Sequence, residues 1–562
     1  MKTSFRELAE ICEKIESTTK RNLMVSIVSE FLQKLSLEEV EPAVSMILGR
    51  AFPKWDQRTL EVSWATLTSV IRKLTDIDWR MFIEAFNRTG DVGDATRIVL
   101  EKSRVKKQAT LFEKTLTILE VRRNFEAIAE ASGSGSREKK ERLLEALLSN
   151  SSPVEAKYIV KILIGEMRTG FHEGLMELAV SKAFKIPHTL IQKAVMMRGD
   201  IGEVAYLAKK GGKDALTNIS FRIFHPIKPM LAQMAENVEE ALKEHRGKTA
   251  FEYKLDGARI QIHKLGDEVR IFSRRLTDVT ASLPEIVEIV RKEVKAREAI
   301  LEGEIIAVNE TGNPLPFQHL MRRFRRVHGI EDVSKRIPVK LYLFDLIYFD
   351  GQSLIDKPYI ERRQKLAEIS GKISLTKQII TDNVKDAQLF LEQAINAGHE
   401  GLVAKKLDSP YTPGVRGKKW FKIKKTLEPL DLVVVAAEYG YGRRHNWLSD
   451  YYLAARDEKT GEFLIVGKTF KGLTDKEIIE MTSRLKELAI KEEGRRVIVV
   501  PKIVVEVAYN EIQKSPKYRC GMALRFARIT KIREDKSPEE ADTIQKIKEI
   551  YEKQFEKKAK LV

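Results

Sequence analysis

The sequence predicts three consecutive domains: an all-α domain over residues 1–218, an α+β domain over residues 219–425, and a small β-barrel with a C-terminal helix over residues 426–562. In the first part apolar residues recur at three- and four-residue spacing, which is typical of amphipathic helices. In the second part short strand-like segments alternate with helical patterns. Regular short strands separated by turns dominate the third part.

The boundaries of these domains follow from local signals. FRELAEICEKI and EKTLTILEVRRNFEAIAEA have helical periodicity, whereas Gly211, Gly212, Pro226 and Pro229 interrupt the chain where the helical texture ends. A second change of texture follows TLEPLDLVVVAAEYGYG, where the barrel strands begin. Near the C-terminus, Ser537 with a glutamate three residues later predicts a capping box that opens the final helix.

The composition indicates a partner and a compartment. The chain of 562 residues has 99 Lys and Arg against 81 Asp and Glu, a formal net charge of +18. This excess suits a polyanion such as nucleic acid, although a merely basic surface is an open alternative. Cys12 and Cys520 are the only cysteines, which excludes a disulfide framework and a four-thiolate zinc site. The expected location is therefore the reducing cytoplasm, and no apolar run approaches the ~20 residues of a membrane span.

The segment KLDGAR at residues 254–259 is the central candidate for chemistry. In an extended strand the side chains of Glu252, Lys254 and Asp256 would share one face, because successive residues alternate between faces. Taken alone, the segment leaves open a strand lysine held between carboxylates as an alternative. An active amine is the other interpretation, and the remaining motifs decide between them.

KLDGAR resembles the first motif of the covalent nucleotidyltransferases, the superfamily of DNA ligases, RNA ligases and mRNA-capping enzymes. Further segments resemble the later motifs of that superfamily in the expected order: SRR at 273–275, LEGE at 301–304, LFDLIY at 343–348, EGLVAK at 400–405, WFKIK at 420–424, and LRFAR at 524–528 running into REDK at 533–536. Ordered matches over so much of the chain are far more specific than any single motif. One departure is Ala527, where many relatives have proline.

The resemblance implies that Lys254 attacks ATP and carries AMP. A free lysine has a pKa of about 10.4, so the amine must lose its proton to act as a nucleophile. We expect neighbouring cations, namely Lys405, Lys422 and Lys424 together with a bound metal ion, to lower that pKa. Lys422 and Lys424 lie two residues apart and so on one strand face, although a solvated basic strand edge would look the same.

The resemblance also implies the other contacts to ATP. Glu304 and Glu400 carry hard oxygen atoms suited to Mg²⁺, and Glu304 would lie near the ribose as well. The remaining candidates in the nucleotide site are Glu252 near the adenine, Phe344 stacked on the purine, Arg259 and Arg274 at the ribose or phosphates, Arg416 at a phosphate, and Lys422, Lys424, Asp256 and Lys405. For Phe344, a core aromatic of a strand is the simpler alternative.

Four C-terminal residues resemble groups that orient the β- and γ-phosphates. They are Arg525, Arg528, Arg533 and Lys536. Their role would require the barrel to close over ATP and then to swing away so that DNA can reach the AMP.

The helical domain separates DNA ligation from the rival activities of the superfamily. RNA ligases and capping enzymes generally lack such a domain, and IGEMRTG at residues 164–170 resembles the DNA-binding domain of replicative ligases. Its small glycines would allow close approach to DNA phosphates or to a minor groove, although a helix-packing glycine pair would look similar. The chain is thus identified as a member of the ATP-dependent DNA ligases of the archaeal and eukaryotic replicative type. For this family we expect an ATP-grasp-like nucleotidyltransferase domain and an OB-fold barrel.

The expected reaction is the sealing of nicks in duplex DNA during replication, repair and recombination, through lysyl-AMP, a 5′-adenylylated DNA and attack by the 3′-hydroxyl. ATP is favoured over NAD⁺ because two cysteines cannot build the four-cysteine zinc module of NAD⁺-dependent ligases. ADP and GTP stay open as alternative donors. The expected partners are nicked DNA and a sliding clamp, with the enzyme a monomer associated with the nucleoid. RNA ligation, capping and a non-catalytic DNA scaffold are the rival functions.

Overall fold

A computed structural model describes the chain in four stretches: residues 2–103, 115–324, 337–424 and 427–554. Contacts within the chain form two units. The first unit comprises the described residues of Met1–Asp76 and Arg104–Lys424. The second comprises those of Ile77–Ser103 and Lys425–Lys557, so it is built from two separate stretches of sequence.

The N-terminal part is helical, as the apolar periodicity predicted. Its helices are α1 Phe5–Glu16, α2 Arg21–Lys34, α3 Leu37–Ile47, α4 Trp64–Leu74, α5 Trp79–Thr89, α6 Val92–Lys102, α7 Ile118–Glu130, α8 Ser136–Ser149, α9 Pro153–Ile164, α10 Glu173–Phe184, α11 His188–Arg198 and α12 Ile201–Thr217. The glycine pair does not end the last helix, because α12 continues across a kink at Gly212. None of the helices in the described stretches has the length and apolar character that crossing a membrane requires.

Two of these helices, α5 and α6, belong to the second unit. The ring centroid of Phe86 on α5 lies 6.2 Å from that of Tyr441, and the guanidinium carbon of Arg495 lies 4.5 Å from the Tyr441 ring centroid. Gly90, between the two helices, approaches His445 so closely that an added Cβ would lie 2.9 Å from the His445 Cβ. This packing explains why residues 77–103 group with the C-terminal residues.

The middle part is an α+β domain with two sheets. Its elements are β1 Leu231–Met234, α13 Val238–His245, β2 Thr249–Lys254, β3 Ala258–Leu265, β4 Glu268–Ser273, α14 Pro284–Glu293, β5 Glu298–Ala307, α15 Phe317–Phe324, β6 Val339–Phe349, β7 Gln352–Ser353, α16 Tyr359–Ile369, β8 Ser374–Leu375, β9 Gln378–Thr381, α17 Val384–Asn396, β10 Gly401–Lys406 and β11 Arg416–Lys424. One sheet has the strand order β1-β11-β10-β2-β9, and the other has β4-β3-β5-β6-β7 with β8 beside β6.

Three apolar clusters hold this domain together. One packs α13 and α17 on the first sheet, with Phe251, Tyr253, Leu402, Phe421 and Ile423 pointing toward the helices. The second packs α14 and α16 against the other sheet. The third joins residues of both sheets and contains Phe344 and Trp420. The first sheet therefore buries one face under helices and turns its other face toward the site described below.

The C-terminal part is rich in strands. Its elements are β12 Leu430–Tyr439, β13 Leu448–Arg456, β14 Phe463–Thr469, α18 Asp475–Glu487, β15 Ala489–Glu493, β16 Arg496–Val499, β17 Val504–Ala508, β18 Glu511–Lys514, β19 Met522–Arg525, β20 Arg528–Ile532 and α19 Ile544–Gln554. One large apolar cluster fills its interior, and a small second cluster is formed by Val433, Val504 and Ala541. The prediction for the final helix was wrong in one respect: Ser537 and Glu540 form their capping box on a short 3-10 turn, and α19 begins only at Ile544. The backbone of Asp542 pairs with that of Asp431 between the two, which interrupts the helix.

Candidate active site

Lys254 ends β2 in the middle of the first sheet. Gly401 of β10 lies opposite Lys254 on one side and opposite Lys424 of β11 on the other, so the three strands form one row. Glu400 precedes that row, and its amide donates to the Lys254 carbonyl at 2.9 Å. The Glu400 carboxylate binds both amines, with Oε2 2.8 Å from Lys254 Nζ and also paired with Lys424 Nζ. Three elements distant in sequence thus converge on one carboxylate.

The charge around Lys254 differs from the expectation. Burial lowers the pKa of Lys254, but the carboxylates of Glu400 and Glu304 outweigh it, and the net shift is upward. We expected neighbouring lysines together with a bound metal ion to lower this pKa. The lysines alone do not outweigh the carboxylates, because Glu400 pairs with the amines of both Lys254 and Lys424, and the effect of a metal ion stays a prediction. Burial raises the pKa of Glu400, but the two lysines hold it well below its usual value.

Glu304 lies on β5, opposite Arg259 of β3. Burial, reinforced by the negative charge of Glu400, raises the pKa of Glu304 to about 7 despite the opposing effect of Lys254. Two carboxylates that repel each other beside a partly buried amine are a donor set that a divalent cation would stabilise. Within the described stretches, no group of three or more His, Cys, Asp or Glu residues lies close enough to form a metal site of protein ligands alone.

The raised pKa of Glu304 predicts a pH-dependent gain in stability for Glu304→Gln. The native state binds this proton more tightly than the unfolded state, so wild-type stability falls as pH rises from about 4.5 to about 7. The neutral glutamine avoids this loss. We expect the variant to gain up to ~3 kcal/mol relative to wild type at pH 8, compared with pH 4. Urea unfolding at both pH values measures the difference. Glu310→Gln, which removes an exposed carboxylate just beyond β5, is the control, and an equal gain in both variants would contradict the prediction.

Close backbone approach explains the glycines of three motifs. A Cβ at Gly257 would lie 2.2 Å from the Ile305 carbonyl oxygen, and one at Gly303 would lie 2.9 Å from the Tyr342 carbonyl oxygen. Gly401 has φ +147°, and its Cβ would lie 2.1 Å from the Ile423 carbonyl oxygen. These glycines let neighbouring strands bring Lys254, Glu304 and Glu400 together.

A group of cations lies beside the carboxylates. Lys422 and Lys424 share the site face of β11, opposite the buried Phe421 and Ile423, as strand alternation predicted. Burial lowers the pKa of Lys422, and the charges of Lys424, Lys254, Arg416 and Arg274 lower it further. Burial and nearby arginines likewise lower the pKa of Arg274. Cations that repel one another in this way would be stabilised by a polyphosphate.

A pair of buried aromatic side chains adjoins these charges. The rings of Phe344 and Trp420 meet edge to face with centroids 6.5 Å apart. Lys405 Nζ lies 4.6 Å from the Phe344 ring centroid and 4.5 Å from that of Trp420. Arg259 is paired with the buried Glu302, and its guanidinium carbon lies 5.2 Å from the Phe344 ring. Glu302 and Trp420 belong to quoted motifs but had no assigned role; Glu302 could have been found, because it lies two residues before Glu304 on the same strand.

The carboxylate of Glu252 is held by residues that no sequence pattern had predicted to lie near it. Its carboxylate accepts from Gln378 Nε2 at 3.1 Å and from the Tyr359 hydroxyl, and Lys405 Nζ lies 2.8 Å from Oε2. Lys405 is therefore a partner of Glu252 and not a neighbour of the Lys254 amine, contrary to expectation. It lies on β10 opposite Ala250, four residues beyond Gly401, which is the residue opposite Lys254. No local pattern marked Tyr359 or Gln378.

The C-terminal basic candidates belong to the second unit. Arg533 Nη1 lies 3.0 Å from Asp431 Oδ1, and Lys536 Nζ lies 2.6 Å from Asp431 Oδ2. Arg525 pairs with a glutamate of β18 at 3.0 Å, and Arg528 is exposed on β20. Three of the four thus have carboxylate partners within their own unit.

Family models match three stretches of the chain. The model of the DNA ligase N terminus matches residues 4–180, that of the ATP dependent DNA ligase domain matches residues 229–424, and that of the ATP dependent DNA ligase C terminal region matches residues 444–536. This chain belongs to the ATP-dependent DNA ligases.

Individual relatives span the ligase from end to end. DNA ligase 1 of Korarchaeum cryptofilum is 50% identical over 98% of this chain and 99% of its own length. The DNA ligase of Thermococcus onnurineus is 46% identical over 99% of both. A solved structure named Pmar-Lig_Pre has a TM-score of 0.56 over 94% of this chain and 99% of its own, and its 18% identity supports the fold alone.

These matches confirm the family and the ATP-dependent sealing of nicks expected from the motifs. The enzyme is an ATP-dependent DNA ligase of archaeal type that binds and seals nicks in DNA during replication and repair. Its domains are a helical N-terminal domain, an α+β adenylation domain and a β-rich C-terminal domain.

Proposed function

We propose that the ligase carries the adenylyl group on Lys254. In the first step the amine attacks the α-phosphorus of ATP, a P–N bond forms, the bond to pyrophosphate breaks, and the amine gives up a proton. In the second step an oxygen of the DNA 5′-phosphate attacks the same phosphorus and releases the lysine. In the third step the 3′-hydroxyl oxygen attacks the 5′-phosphorus, and AMP leaves. The observation that supports this assignment is the amine of Lys254, held 2.8 Å from Glu400 inside a group of charged side chains.

Glu304 and Glu400 are the proposed ligands of Mg²⁺. Their hard oxygens and mutual repulsion fit a divalent cation. When bound, the cation would neutralise phosphate charge and offset the two carboxylates that now raise the pKa of Lys254. Lys254 would then be easier to deprotonate, which the first step requires.

The remaining residues of the site are proposed to bind the nucleotide. Phe344 would stack on the adenine, and Glu252 would lie near the base through its backbone, because its carboxylate is occupied by Lys405, Tyr359 and Gln378. The charged contacts to the ribose and phosphates are assigned to Arg259, Arg274, Arg416, Lys422 and Lys424, with Glu304 at the ribose and Asp256 as a further candidate. Lys405 would act through Glu252.

For the C-terminal domain we propose an OB-fold and a role in the first step. Arg525, Arg528, Arg533 and Lys536 are the candidates for orienting the leaving pyrophosphate. The domain limits that we assign are 1–218, 219–425 and 426–562, with an ATP-grasp-like adenylation domain in the middle.

Besides ATP, the proposed partners are nicked DNA and a sliding clamp. The turn at residues 164–170 would contact DNA phosphates, and contacts of this kind make affinity fall steeply with salt. A sliding clamp is a further proposed partner, and we propose that the enzyme acts as a monomer in the cytoplasm, at the nucleoid, also during recombination. The two buried free cysteines are consistent with a reducing compartment.

Labelling and mapping test the central assignment. The protein is incubated with ATP labelled at the α-phosphate and Mg²⁺, digested, and the labelled peptide is sequenced by mass spectrometry. We expect one AMP on Lys254, and its release on addition of nicked duplex DNA. Label on another lysine, or label that nicked DNA does not discharge, would overturn the assignment.

A further inference from the structure

The turn that joins α9 to α10 has an unusual backbone. Gly165, Arg168 and Gly170 have φ of +72°, +53° and +75°, in the left-handed region. This region is costly for Arg168, which is not a glycine, by roughly 1–2 kcal/mol. Gly165 and Gly170 are exposed, whereas Met167 and Thr169 are buried. The surrounding structure must therefore impose the shape of the turn.

A group of charges lies behind this turn, with its two lysines buried and its two glutamates partly exposed. Lys157 and Lys161 of α9 face Glu13 and Glu16 of α1: Lys157 Nζ is 2.6 Å from Glu13 Oε1 and 2.8 Å from Glu16 Oε2, and Lys161 Nζ is 3.0 Å from Glu16 Oε1. The Tyr158 hydroxyl oxygen lies 2.7 Å from a carboxylate oxygen of each glutamate and can donate its one hydrogen to either. We call Glu13, Glu16, Lys157 and Lys161 the α1–α9 ion cluster.

Lys161 links the α1–α9 ion cluster to the turn. Its side chain is 0% exposed, and Nζ donates to the carbonyl oxygen of Met167 at 3.1 Å as well as to Glu16. The Met167 side chain packs against Gly49, where an added Cβ would lie 2.8 Å from Met167 Cγ. The residue next to the strained Arg168 is therefore fixed both through its carbonyl and through its side chain.

Ion pairs that include a buried charge add little net stability, because desolvation offsets their attraction, and in some proteins their value lies in geometry. We propose that Lys161 is a positioning residue for nicked DNA: it fixes the turn so that the exposed backbone at Gly165 and Gly170 and the Arg168 side chain meet the phosphates of the duplex. This inference rests on the proposed DNA contact of the turn. It adds a buried residue that never touches DNA to the determinants of nick binding.

The test compares two lysines of the same cluster. Lys161→Met removes the bond to the turn, and Lys157→Met removes equal charge without altering that bond. We expect Lys161→Met to weaken binding of a nicked duplex about 10-fold and to reduce the salt slope of binding by about 1, the equivalent of one phosphate contact. Lys157→Met should stay within about 2-fold of wild type. Both should form the protein-bound AMP at wild-type rates without DNA. Equal weakening in the two variants, or none in either, would overturn the proposal.

Two further variants keep the outcomes separate. Lys161→Gln retains a donor for the Met167 carbonyl and should recover most of the binding. If Lys161→Met does not fold, Lys161→Ala takes its place, and its binding is compared with that of Lys161→Gln and Lys157→Gln. Arg168→Ala tests the DNA contact itself. If Arg168→Ala binds nicked DNA as wild type does, the proposed DNA contact of the turn fails, whatever Lys161 does. If only Arg168→Ala weakens binding, the contact stands and the role of Lys161 is refuted.

Discussion

Lys254→Ala is expected to lower the rate of protein adenylylation by on the order of 10⁴-fold or more, because the variant lacks the only group proposed to attack ATP. The fold should survive, since Glu400 keeps its second partner, Lys424. A filter assay of AMP bound to the protein measures the loss. Nick sealing from ATP should fall in parallel, whereas gel-shift affinity for nicked DNA should stay close to that of wild type.

Lys254→Arg separates the role of Lys254 as a nucleophile from the role of its positive charge. Arginine retains the positive charge beside Glu400 but stays protonated at any working pH, so it cannot replace the amine as a nucleophile. We expect this variant to be as inactive as Lys254→Ala and to unfold at a temperature closer to that of wild type. Measurable adenylylation of either variant at the wild-type rate would refute the assignment of Lys254.

We expect Gly257→Ala to lower both stability and the rate of adenylylation, because it displaces the backbone that positions the site. Its Cβ would lie 2.2 Å from the Ile305 carbonyl oxygen and 3.0 Å from the Glu304 Cγ, so β3 and β5 must separate where Glu304 projects. Overpacking of this kind costs about 1–3 kcal/mol, and a displacement near 1 Å in a site costs roughly 10²-fold in rate. Urea unfolding and the adenylylation assay measure the two effects.

Gly417→Ala is the matched control, because a Cβ there has nothing within 4 Å and Gly417 lies in the same domain, on β11. This variant should keep both stability and rate. If Gly257→Ala behaved like Gly417→Ala, the close approach of β3 and β5 would not limit the site.

The sequence was most informative where function depends on short spacing. The order of the motifs around Lys254, Glu304 and Glu400 predicted the family, and the alternation of β11 predicted the common face of Lys422 and Lys424. Helical periodicity likewise predicted the N-terminal helices. These features are local, so they can be seen without knowledge of the fold.

Contacts between distant segments could not be predicted in the same way. Glu252 is separated from Tyr359 and Gln378 by 107 and 126 residues, and only the pairing of β2 with β9 brings Gln378 to it. Lys405 was misplaced because alternation fixes the face of a strand but not the distance along it. The raised pKa of Lys254 depends on Glu400, whose position follows from the pairing of β2 with β10.

The origin of the second unit in two stretches of sequence has a consequence for synthesis. Residues 77–103 leave the ribosome more than 300 residues ahead of the strands with which they group. Such distant pairing delays folding, because the intervening chain must first be ordered. The apolar faces of α5 and α6 therefore stay exposed to solvent until the C-terminal strands have been synthesised. A fragment that stops at residue 424 would leave them uncovered permanently, and such a fragment should aggregate more readily than the complete chain.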